Sequence, residues 1–220
     1  MTTDFPLTNT DASVGLSRRP VESVKAVIIL AGGTARRLGG VSKPDYEIAG
    51  KRLLDLLFDE LERAGFDGQA CVVGPPDLTV PTGARLTLED PPFGGPLAGI
   101  AAGVAVFDDF SDDDGVLLAT CDAPLVPRLL PDLACVLQQS PSSAGVIPTT
   151  NDTDPWPQYT HGLYRLNALR QLPARRDASI KSAFGTLELQ TLIDKHNYCF
   201  DVDTPESATQ LLDRLSINEK

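Results

Sequence analysis

Apolar positions along the chain form short β-branched runs that alternate with helical stripes. The first run, residues 24–30, is apolar on both faces apart from Lys25, which is typical of a central strand covered by helices. Strands that alternate with helices need crossover connections, so the pattern predicts an α/β fold with a Rossmann-like, doubly wound, mostly parallel sheet. Further strands are predicted over residues 71–73, 85–88, 116–119, 144–148, 162–166 and 198–202. Helices are predicted over residues 52–64, 96–107, 128–139 and 205–215.

The chain is expected to form a single domain with short appendages. Its 220 residues are about one and a half times the roughly 150 residues that are typical of one domain. Residues 1–23 are rich in Thr, Ser, Asp and Pro and have no apolar periodicity, so we predict a flexible N-terminal extension. The domain itself is predicted to span residues 24–216, and residues 217–220 form a tail.

The charge of the chain argues against several kinds of partner. There are 19 Lys and Arg residues against 30 Asp and Glu residues, which gives a formal net charge of -11. Because such a chain repels phosphate-rich surfaces, we expect neither nucleic acid nor a membrane as a partner. A small anionic ligand remains compatible, since a few local cations and backbone amides can bind phosphate inside an acidic protein.

The cysteines and the apolar runs indicate a cytoplasmic protein. The four cysteines are far apart and form no CxxC pair, so we interpret them as reduced, mostly buried thiols. No apolar run is long enough to suggest a membrane span, and no signal peptide is recognised. His161 and His196 have no partner at metal-ligand spacing and are interpreted as non-catalytic.

The residues with the strongest chemical signal follow the first predicted strand, at the edge of a parallel sheet where ligands bind. Residues 30–40 read Leu-Ala-Gly-Gly-Thr-Ala-Arg-Arg-Leu-Gly-Gly, and Lys43 follows. Glycines let backbone amides turn toward a phosphate, and Arg36, Arg37 and Lys43 supply positive charge. The segment is neither a P-loop nor a GxGxxG motif. It could be a glycine-rich turn with exposed basic residues, but three cations favour an anion site.

Two further strand ends carry acidic residues. Asp122 follows a buried run and precedes Pro124, where it could hold a divalent cation that carries phosphate oxygens, or form an Asx turn or a helix cap. Asp203 is a second candidate metal ligand, and Asp203 or Thr204 could equally cap the helix that begins at Pro205.

Secondary candidates lie at two other places. Asp201 and Asp203 alternate along the strand predicted over 198–202 and its end, and would point the same way. Asp90 precedes a glycine-rich loop and a helix start, and could accept hydrogen bonds from a base or a sugar. The small residues of that helix could equally reflect close packing.

Together these motifs resemble the molybdenum cofactor guanylyltransferase family, one of the nucleotidyltransferases with a fold of the nucleotide-diphospho-sugar transferase type. The resemblance covers roughly residues 25–215. It is carried by the Leu-Ala-Gly-Gly-x-x-x-Arg-x-Gly-Gly loop with its downstream lysine, by Gly-Pro-Leu-Ala-Gly at 95–99, by Cys121-Asp122-x-Pro124 and by Asp203-Thr204-Pro205-Glu206. Related cytidylyl-transferring enzymes tend to have Ala-Ala-Gly where this chain has Ala31-Gly32-Gly33, which favours GTP.

The resemblance implies that GMP is transferred from GTP to the terminal phosphate of the molybdopterin cofactor, with release of pyrophosphate. It also implies Mg²⁺ bound by Asp122, with Asp203 as a second candidate ligand. The residues it assigns to nucleotide binding are Leu30, Ala31, Gly32, Gly33, Lys43, Asp90 and Asp122. The residues it assigns to catalysis are Arg37, Lys43 and Asp122. The implied partners are GTP, molybdopterin and, in transient contact, other proteins of molybdenum cofactor biosynthesis.

The chain also departs from the family at several positions. Ser42 stands where the family usually has Asp, Asp45 and Tyr46 stand where it usually has apolar residues, and Asp201 and Asp203 stand where it often has Asn. Two alternatives therefore remain open. One is a cytidylyl- or sugar-phosphate nucleotidyltransferase of the same superfamily, and the other is a non-catalytic nucleotide-binding regulatory protein.

Overall fold

A computed structural model describes residues 19–32, 42–90, 94–173 and 179–216. The strands in these ranges are β1 (Val24–Leu30), β2 (Glu47–Ile48), β3 (Lys51–Arg52), β4 (Gln69–Val73), β5 (Arg85–Thr87), β6 (Gly115–Thr120), β7 (Gly145–Thr149), β8 (Leu163–Arg165) and β9 (Leu189–Ile193). The α-helices are α1 (Arg19–Glu22), α2 (Leu53–Arg63), α3 (Pro96–Ala105), α4 (Leu130–Gln139), α5 (Leu166–Arg170), α6 (Ile180–Phe184) and α7 (Pro205–Ser216). Short 3₁₀ helices cover Lys43–Asp45, Val126–Leu129 and Tyr159–His161.

Strand β1 lies inside a seven-stranded sheet with the order β5-β4-β1-β6-β8-β7-β9. Its neighbours β4 and β6 pair with it in parallel, and β5 and β9 are parallel to β4 and β7. Only β8 among the described strands of this sheet runs antiparallel, to both β6 and β7. The carboxyl ends of β1, β4, β5, β6 and β7 therefore lie at one edge, and the predicted mostly parallel sheet is confirmed.

Helices cover both faces of this sheet. On β1, Val27 and Ile29 face a core formed with α2 and α4, while Ala26 and Ile28 face a second core formed with α3, α5 and α6. All four side chains are fully buried. Because successive side chains of a strand point to opposite faces, this run can be apolar throughout only if both faces are covered. The doubly wound arrangement is confirmed.

Helix α3 lies very close to β1. A Cβ atom on Gly103 would lie 2.6 Å from Cγ2 of Ile28, and one on Gly99 would lie 3.3 Å from Cδ2 of Leu30. The helix begins at Pro96 after Gly95, whose φ of 83° is in the region that favours glycine. Close packing therefore explains the small residues of this helix.

The sequence-based prediction is wrong in one part of the sheet. Residues 198–202 form no strand, and the strand β9 that pairs with β7 lies earlier, at Leu189–Ile193. The apolar residues Cys199 and Val202 are buried in core clusters without joining the sheet. Edge strand β9 is half-exposed and contains Gln190 and Thr191, so its apolar signal is weak.

The remaining general predictions concern the termini and the cysteines. Residues 1–18 and 217–220 lie outside the described part of the chain, so the division at residue 23 stays a prediction. Within the described part, Arg19–Glu22 form a short helix, and Val21 is buried. All four cysteines are free, and Cys71, Cys121 and Cys199 are buried, as expected. No helix of the described ranges is long and apolar enough to cross a membrane.

The close approach of α3 to β1 makes Gly103 sensitive to substitution. We expect Gly103→Val to lower the free energy of unfolding by about 1–3 kcal/mol, because the new side chain overlaps with Ile28. Ala105→Val is the matched control, since Ala105 is exposed on the same helix and its replacement costs only about 0.5 kcal/mol of helix propensity. Urea unfolding of both variants measures the difference, and equal losses would contradict the packing argument.

Candidate functional site

Three segments of the chain meet at the carboxyl edge of the sheet. Leu30, the last residue of β1, is paired with Thr120, the last residue of β6. The amide of Cys121 donates to the carbonyl of Leu30 (3.0 Å). The amide of Val202 donates to the carbonyl of Asp122 (2.8 Å), which joins the third segment to the second. The expected convergence of the strand ends near residues 30 and 120 is confirmed.

Lys43 links the acidic residues of this edge. Its Nζ donates to Oδ2 of Asp122 at 2.6 Å and also to Oδ1 of Asp203. The side chains of Lys43 and Asp122 are 17% and 19% exposed, and that of Asp203 is 48% exposed. One ammonium group is therefore held between two carboxylates that are far apart in sequence. The position is partly buried, and solvent can still reach it.

The local structure around Lys43 explains how it reaches this position. It begins a 3₁₀ turn in which Pro44 is buried and the carbonyl of Ser42 accepts the amide of Asp45 (3.1 Å). Tyr46 packs on a third core cluster, formed around α2 and α7. Lys43 is thus held on a short turn that is anchored by the buried Pro44.

Asp45 and Tyr46, the two residues after Pro44 that depart from the family pattern, each contact another part of the fold. Oδ1 of Asp45 accepts a hydrogen bond from Nη1 of Arg52 at 3.0 Å, so its charge is offset by a neighbouring cation. Tyr46 contributes its ring to the third core cluster. Neither residue makes an ion pair with Lys43. Their presence is therefore compatible with an anion site at Lys43.

The helix cap predicted near Asp203 belongs to its neighbour. Oγ1 of Thr204 accepts the amide of Ser207 (3.2 Å), and Oγ of Ser207 accepts the amide of Thr204 (2.9 Å). This reciprocal pair caps α7, with Pro205 at its first position. The carboxylate of Asp203 is not needed for the cap and bonds to Lys43 instead.

The ion pairs shift the ionisation of the groups that form them. Burial alone would lower the pKa of Lys43, but the hydrogen bonds and charges of Asp122 and Asp203 outweigh it, and the pKa is raised. Burial alone would raise the pKa of Asp122, but the hydrogen bonds from Lys43 and Thr120 lower it below its ordinary value. Both groups are therefore fully charged at neutral pH.

Asp201 behaves differently from the other two carboxylates. Desolvation, followed by the negative charges of Asp122 and Asp203, raises the pKa of Asp201 to about 7. Although the residue as a whole is exposed, the like charges of Asp122 and Asp203 favour the protonated form of its carboxyl group. Although residues 198–202 do not form the predicted strand, Asp201 and Asp203 still lie close enough for their charges to interact.

The described core of the site has a negative charge. Lys43 contributes +1, and Asp122 and Asp203 contribute −1 each, so the sum is −1 before any charge on Asp201 is added. In the described residues, no group of three or more His, Cys, Asp or Glu side chains is placed to hold a metal ion. The site offers two carboxylates that converge on one cation. Oxygen ligands of this kind and number fit Mg²⁺, which takes one or two carboxylates and completes its coordination with phosphate oxygens and water.

The other predicted site residues are spread along the same edge. The amide of Ala31 donates to the carbonyl of Val73 (2.8 Å), and the carbonyl of Leu30 accepts Cys121, so these backbone groups are used within the fold. Gly32 is exposed. Asp90 is exposed at a bend after β5, two strands away from β1. Gly33, Arg36 and Arg37 lie in residues 33–41, outside the described part of the chain.

Sequence analysis did not indicate Thr120 as a neighbour of Asp122. Its hydroxyl contributes to the lowered pKa of Asp122 and lies 2.8 Å from Nε2 of His161. His161 is 2% exposed, and burial lowers its pKa to about 4, although the charges of Asp122 and Asp194 oppose this. A signal for Thr120 did exist, because a polar residue at the end of an otherwise apolar strand is unusual.

Comparisons with known proteins bear on the family and the fold of this chain. A family model described as the MobA-like NTP transferase domain matches residues 27–191. A molybdenum cofactor guanylyltransferase from Polynucleobacter asymbioticus is 28% identical over 187 residues, covering 81% of this chain and 91% of that protein.

Two solved structures show the same fold. Molybdopterin-guanine dinucleotide biosynthesis protein A from Archaeoglobus fulgidus superposes with a TM-score of 0.65 at 21% identity, covering 87% of this chain and 99% of that chain. The 2-C-methyl-D-erythritol 4-phosphate cytidylyltransferase from Francisella tularensis superposes with a TM-score of 0.68 at 17% identity, with the same coverage of 87% and 99%. The nucleotide-diphospho-sugar transferase type of fold is confirmed.

The buried, neutral state of His161 predicts how stability depends on pH. Between its ordinary pKa of 6.5 and its folded pKa of about 4, the unfolded chain binds a proton at His161 and the folded chain does not. Acidification over this range therefore destabilises the fold by about 1.4 kcal/mol per pH unit through this group, or about 3 kcal/mol in all. His161→Gln removes this contribution, so the stability difference between wild type and variant should shrink as the pH falls. Urea unfolding at several pH values measures it, and a constant difference would show that His161 is not buried in the neutral form.

Proposed function

Because the chain belongs to the family of MobA-like NTP transferase domains, as its motifs predicted, we propose that it transfers GMP from GTP to the terminal phosphate of molybdopterin. The observation that carries this proposal is the Lys43 ammonium held between Asp122 and Asp203 at the carboxyl edge of a parallel sheet. A flexible polyanion such as a triphosphate needs a fixed cation to bind it. Carboxylates beside that cation provide ligands for a metal ion, which neutralises a further part of the triphosphate charge.

The proposed reaction is an in-line displacement at the α-phosphorus of GTP. An oxygen of the terminal pterin phosphate forms a bond to this phosphorus, and the bond from the phosphorus to the oxygen that bridges to the β-phosphate breaks. The electron pair of that bond leaves with pyrophosphate. Such chemistry requires positioning of the two phosphates and stabilisation of charge rather than a covalent intermediate.

Lys43 would stabilise the charge on the phosphates. Its ammonium is fully protonated, because Asp122 and Asp203 raise its pKa despite burial. On GTP binding, at least one of its N–H donors would turn from a carboxylate to a phosphate oxygen. The 3₁₀ turn with buried Pro44 holds its backbone in place, so only the side chain has to move. Arg37, in the adjoining glycine-rich loop, is proposed to share this role.

The carboxylates fit a divalent cation, and nucleotidyltransferases of this family generally use one. Mg²⁺, when bound, would screen the phosphates and favour the departure of pyrophosphate. Asp122 is the first candidate ligand, since its pKa is lowered and it is ionised at neutral pH. Asp203 is the second, because its carboxylate is free of the helix cap and half-exposed. Without added positive charge, a site whose described groups sum to −1 would repel a triphosphate.

The nucleoside is proposed to lie along the glycine-rich loop. Gly32 is exposed after the end of β1, so a base can approach its backbone. Leu30, Ala31 and Gly33 would shape the same surface, and Asp90 would contact the base or the sugar from the flank of the sheet. The preference for GTP over CTP follows from the Ala31-Gly32-Gly33 sequence, as the resemblance implies.

A non-catalytic regulatory protein is the less favoured alternative. Ser42, Asp45 and Tyr46 suggest it. However, the Ser42 carbonyl accepts the amide of Asp45 within the turn, Asp45 is paired with Arg52, and Tyr46 packs on a core cluster. The proposed partners are GTP and molybdopterin, with transient contacts to other proteins of molybdenum cofactor biosynthesis. A reducing compartment such as the cytoplasm suits the four free cysteines.

One test of the proposed function replaces Asp122. We expect Asp122→Asn to lower kcat/KM by roughly a thousandfold, about 4 kcal/mol of transition-state stabilisation, because a charged ligand of the metal is lost. Asp45→Asn is the matched control, since it removes a carboxylate from the same neighbourhood that is paired with Arg52 rather than Lys43. Pyrophosphate release with GTP, Mg²⁺ and molybdopterin measures both variants. Equal activity of wild type and Asp122→Asn would contradict the proposed role of Asp122.

Another test of the proposed function varies the substrates. Wild-type protein should release pyrophosphate with GTP and molybdopterin, and much more slowly when CTP replaces GTP or a sugar phosphate replaces the pterin. A preference for CTP or for a sugar phosphate would favour the other nucleotidyltransferases of the superfamily. Absence of pyrophosphate release with every pair of substrates would contradict the proposed enzyme.

A further inference from the structure

Trp156 is the most exposed large apolar side chain in the described part of the protein, at 60%, and the single tryptophan of the chain. It lies in residues 150–158, which follow β7 at the carboxyl edge of the sheet. Its amide donates to Oγ1 of Thr150 (2.9 Å), and its carbonyl accepts the amide of Thr150 (3.1 Å). The backbone that carries this indole is therefore fixed to the end of β7.

The pairing of β7 shows on which side of this strand Trp156 lies. Thr149, the last residue of β7, is paired with Ile193 of β9 and is also joined to Pro157 by an antiparallel bridge. Because β9 occupies one edge of β7, Pro157 must lie along the other edge, where β8 pairs with β7 further down. Trp156, which precedes Pro157, is thus on the side of β7 that faces β6.

The ends of β6 and β7 lie at the same level of the sheet. Leu163 of β8 is paired with Leu117 of β6 and with Val146 of β7. Thr120 comes three residues after Leu117, and Thr149 comes three residues after Val146, so the two strands end side by side. Only β8 separates them, and two strand spacings amount to roughly 10 Å. The segment that carries Trp156 is therefore close to the strand end that leads into the candidate metal site.

The proposed nucleotide position leaves this side of the edge for the acceptor. The phosphates are assigned to Lys43, which pairs with Asp122 after the end of β6. The nucleoside is assigned to Gly32, after β1, and to Asp90, after β5. In the strand order β5-β4-β1-β6-β8-β7-β9, the nucleoside and β7 therefore lie on opposite sides of the phosphates. An acceptor that reaches the α-phosphorus has room over β8 and β7, where Trp156 lies.

The charges around the indole determine which end of an acceptor it suits. Nζ of Lys181, an exposed residue of α6, lies 5.5 Å from the centroid of the Trp156 ring in a cation–π contact. This contact restrains the indole and leaves most of its surface open to solvent. Residues 150–158 contain Asp152 and Asp154 and no Lys or Arg. This segment therefore suits the uncharged ring of an acceptor better than its phosphate.

We propose that Trp156, restrained by Lys181, forms an acceptor subsite in which the indole stacks on the flat heterocycle of the pterin while the terminal phosphate reaches the site at Lys43. The proposal rests on the proposed function, which supplies molybdopterin as the acceptor. Stacking of a flat heterocycle on an aromatic side chain commonly changes affinity by roughly 10- to 100-fold when the side chain is replaced by alanine. A sugar phosphate has no such ring, so Trp156 would contribute to the choice of acceptor.

Variants of the exposed residues test the subsite by calorimetry and kinetics on the full chain. Trp156→Ala should raise both the Kd and the KM for molybdopterin by roughly 10- to 100-fold, with little change in kcat or in the KM for GTP. Trp156→Phe keeps a flat ring and should recover most of the affinity. Lys181→Met removes the cation and should have a smaller effect than Trp156→Ala. Ile193→Ala is the matched control, because Ile193 is 52% exposed on the other side of β7.

Fluorescence tests the contact directly and needs no turnover. Because the chain has a single tryptophan, all of its indole emission comes from Trp156. Collisional quenching by acrylamide, corrected for the excited-state lifetime, measures how accessible the indole is, and the correction removes the effect of energy transfer to the pterin. Saturating molybdopterin should lower the quenching rate constant by roughly twofold or more, since a stacked ring covers one face of the indole. GTP alone should leave it unchanged.

The outcomes separate this inference from the proposed function. Unchanged affinity for molybdopterin in Trp156→Ala, a rise in the KM for GTP instead, or unchanged acrylamide quenching would each overturn the subsite. An equal loss in Lys181→Met or in Ile193→Ala would do the same, since it would show an effect of charge or of any exposed apolar residue. If the wild type releases no pyrophosphate, the proposed function fails, while calorimetry and quenching still decide whether Trp156 binds molybdopterin.

Discussion

The ion pairs of Lys43 with Asp122 and Asp203 determine how the carboxyl edge of this sheet is arranged. Two carboxylates that share a small space repel each other, and Asp201 adds a third nearby. A single ammonium group offsets this repulsion, and partial burial strengthens the attraction relative to water. Removing the cation would leave two partly buried carboxylates without a partner, which costs more than the loss of an exposed ion pair. The site therefore depends on a cation at this position, whether or not a ligand is bound.

The same contact connects stability with function. In the absence of substrate, Lys43 is held by the two acids and is thus already directed to the place where phosphates would bind. A ligand with several negative charges has to compete with Asp122 and Asp203 for this ammonium, and it can do so only when another cation satisfies the carboxylates. Binding of a nucleotide and binding of a metal are therefore expected to depend on each other at this edge.

The general fold and the position of the acidic residues could be predicted from the sequence because they follow from local patterns. Residues 24–30 show a two-sided apolar run, and Asp122 follows a buried strand, so the rule for parallel sheets places both at one edge. The prediction of a strand over 198–202 was wrong because Cys199 and Val202 are buried by packing against core clusters and not by pairing in the sheet. Edge strand β9 was not predicted because three of its five residues are exposed, so its apolar pattern is weak. Contacts such as that of Thr120 with His161 depend on the antiparallel β8, which a repeating pattern of strands and helices does not predict.

Asp203 illustrates how the departures of this chain fit together. The family that the motifs resemble often has Asn at this position. An Asn there would leave Asp122 as the main partner of Lys43. With Asp203, the lysine gains a second anionic partner, and the helix cap is provided by Thr204 and Ser207 instead. The extra negative charge is moderated at Asp201, whose pKa of about 7 lets it take up a proton near neutral pH. Lys43 forms ion pairs with Asp122 and Asp203, and the charges of these two carboxylates contribute to the raised pKa of Asp201. Replacing Asp122 or Asp203 would therefore change the charge that acts on Lys43 and Asp201, so these residues have to be interpreted together.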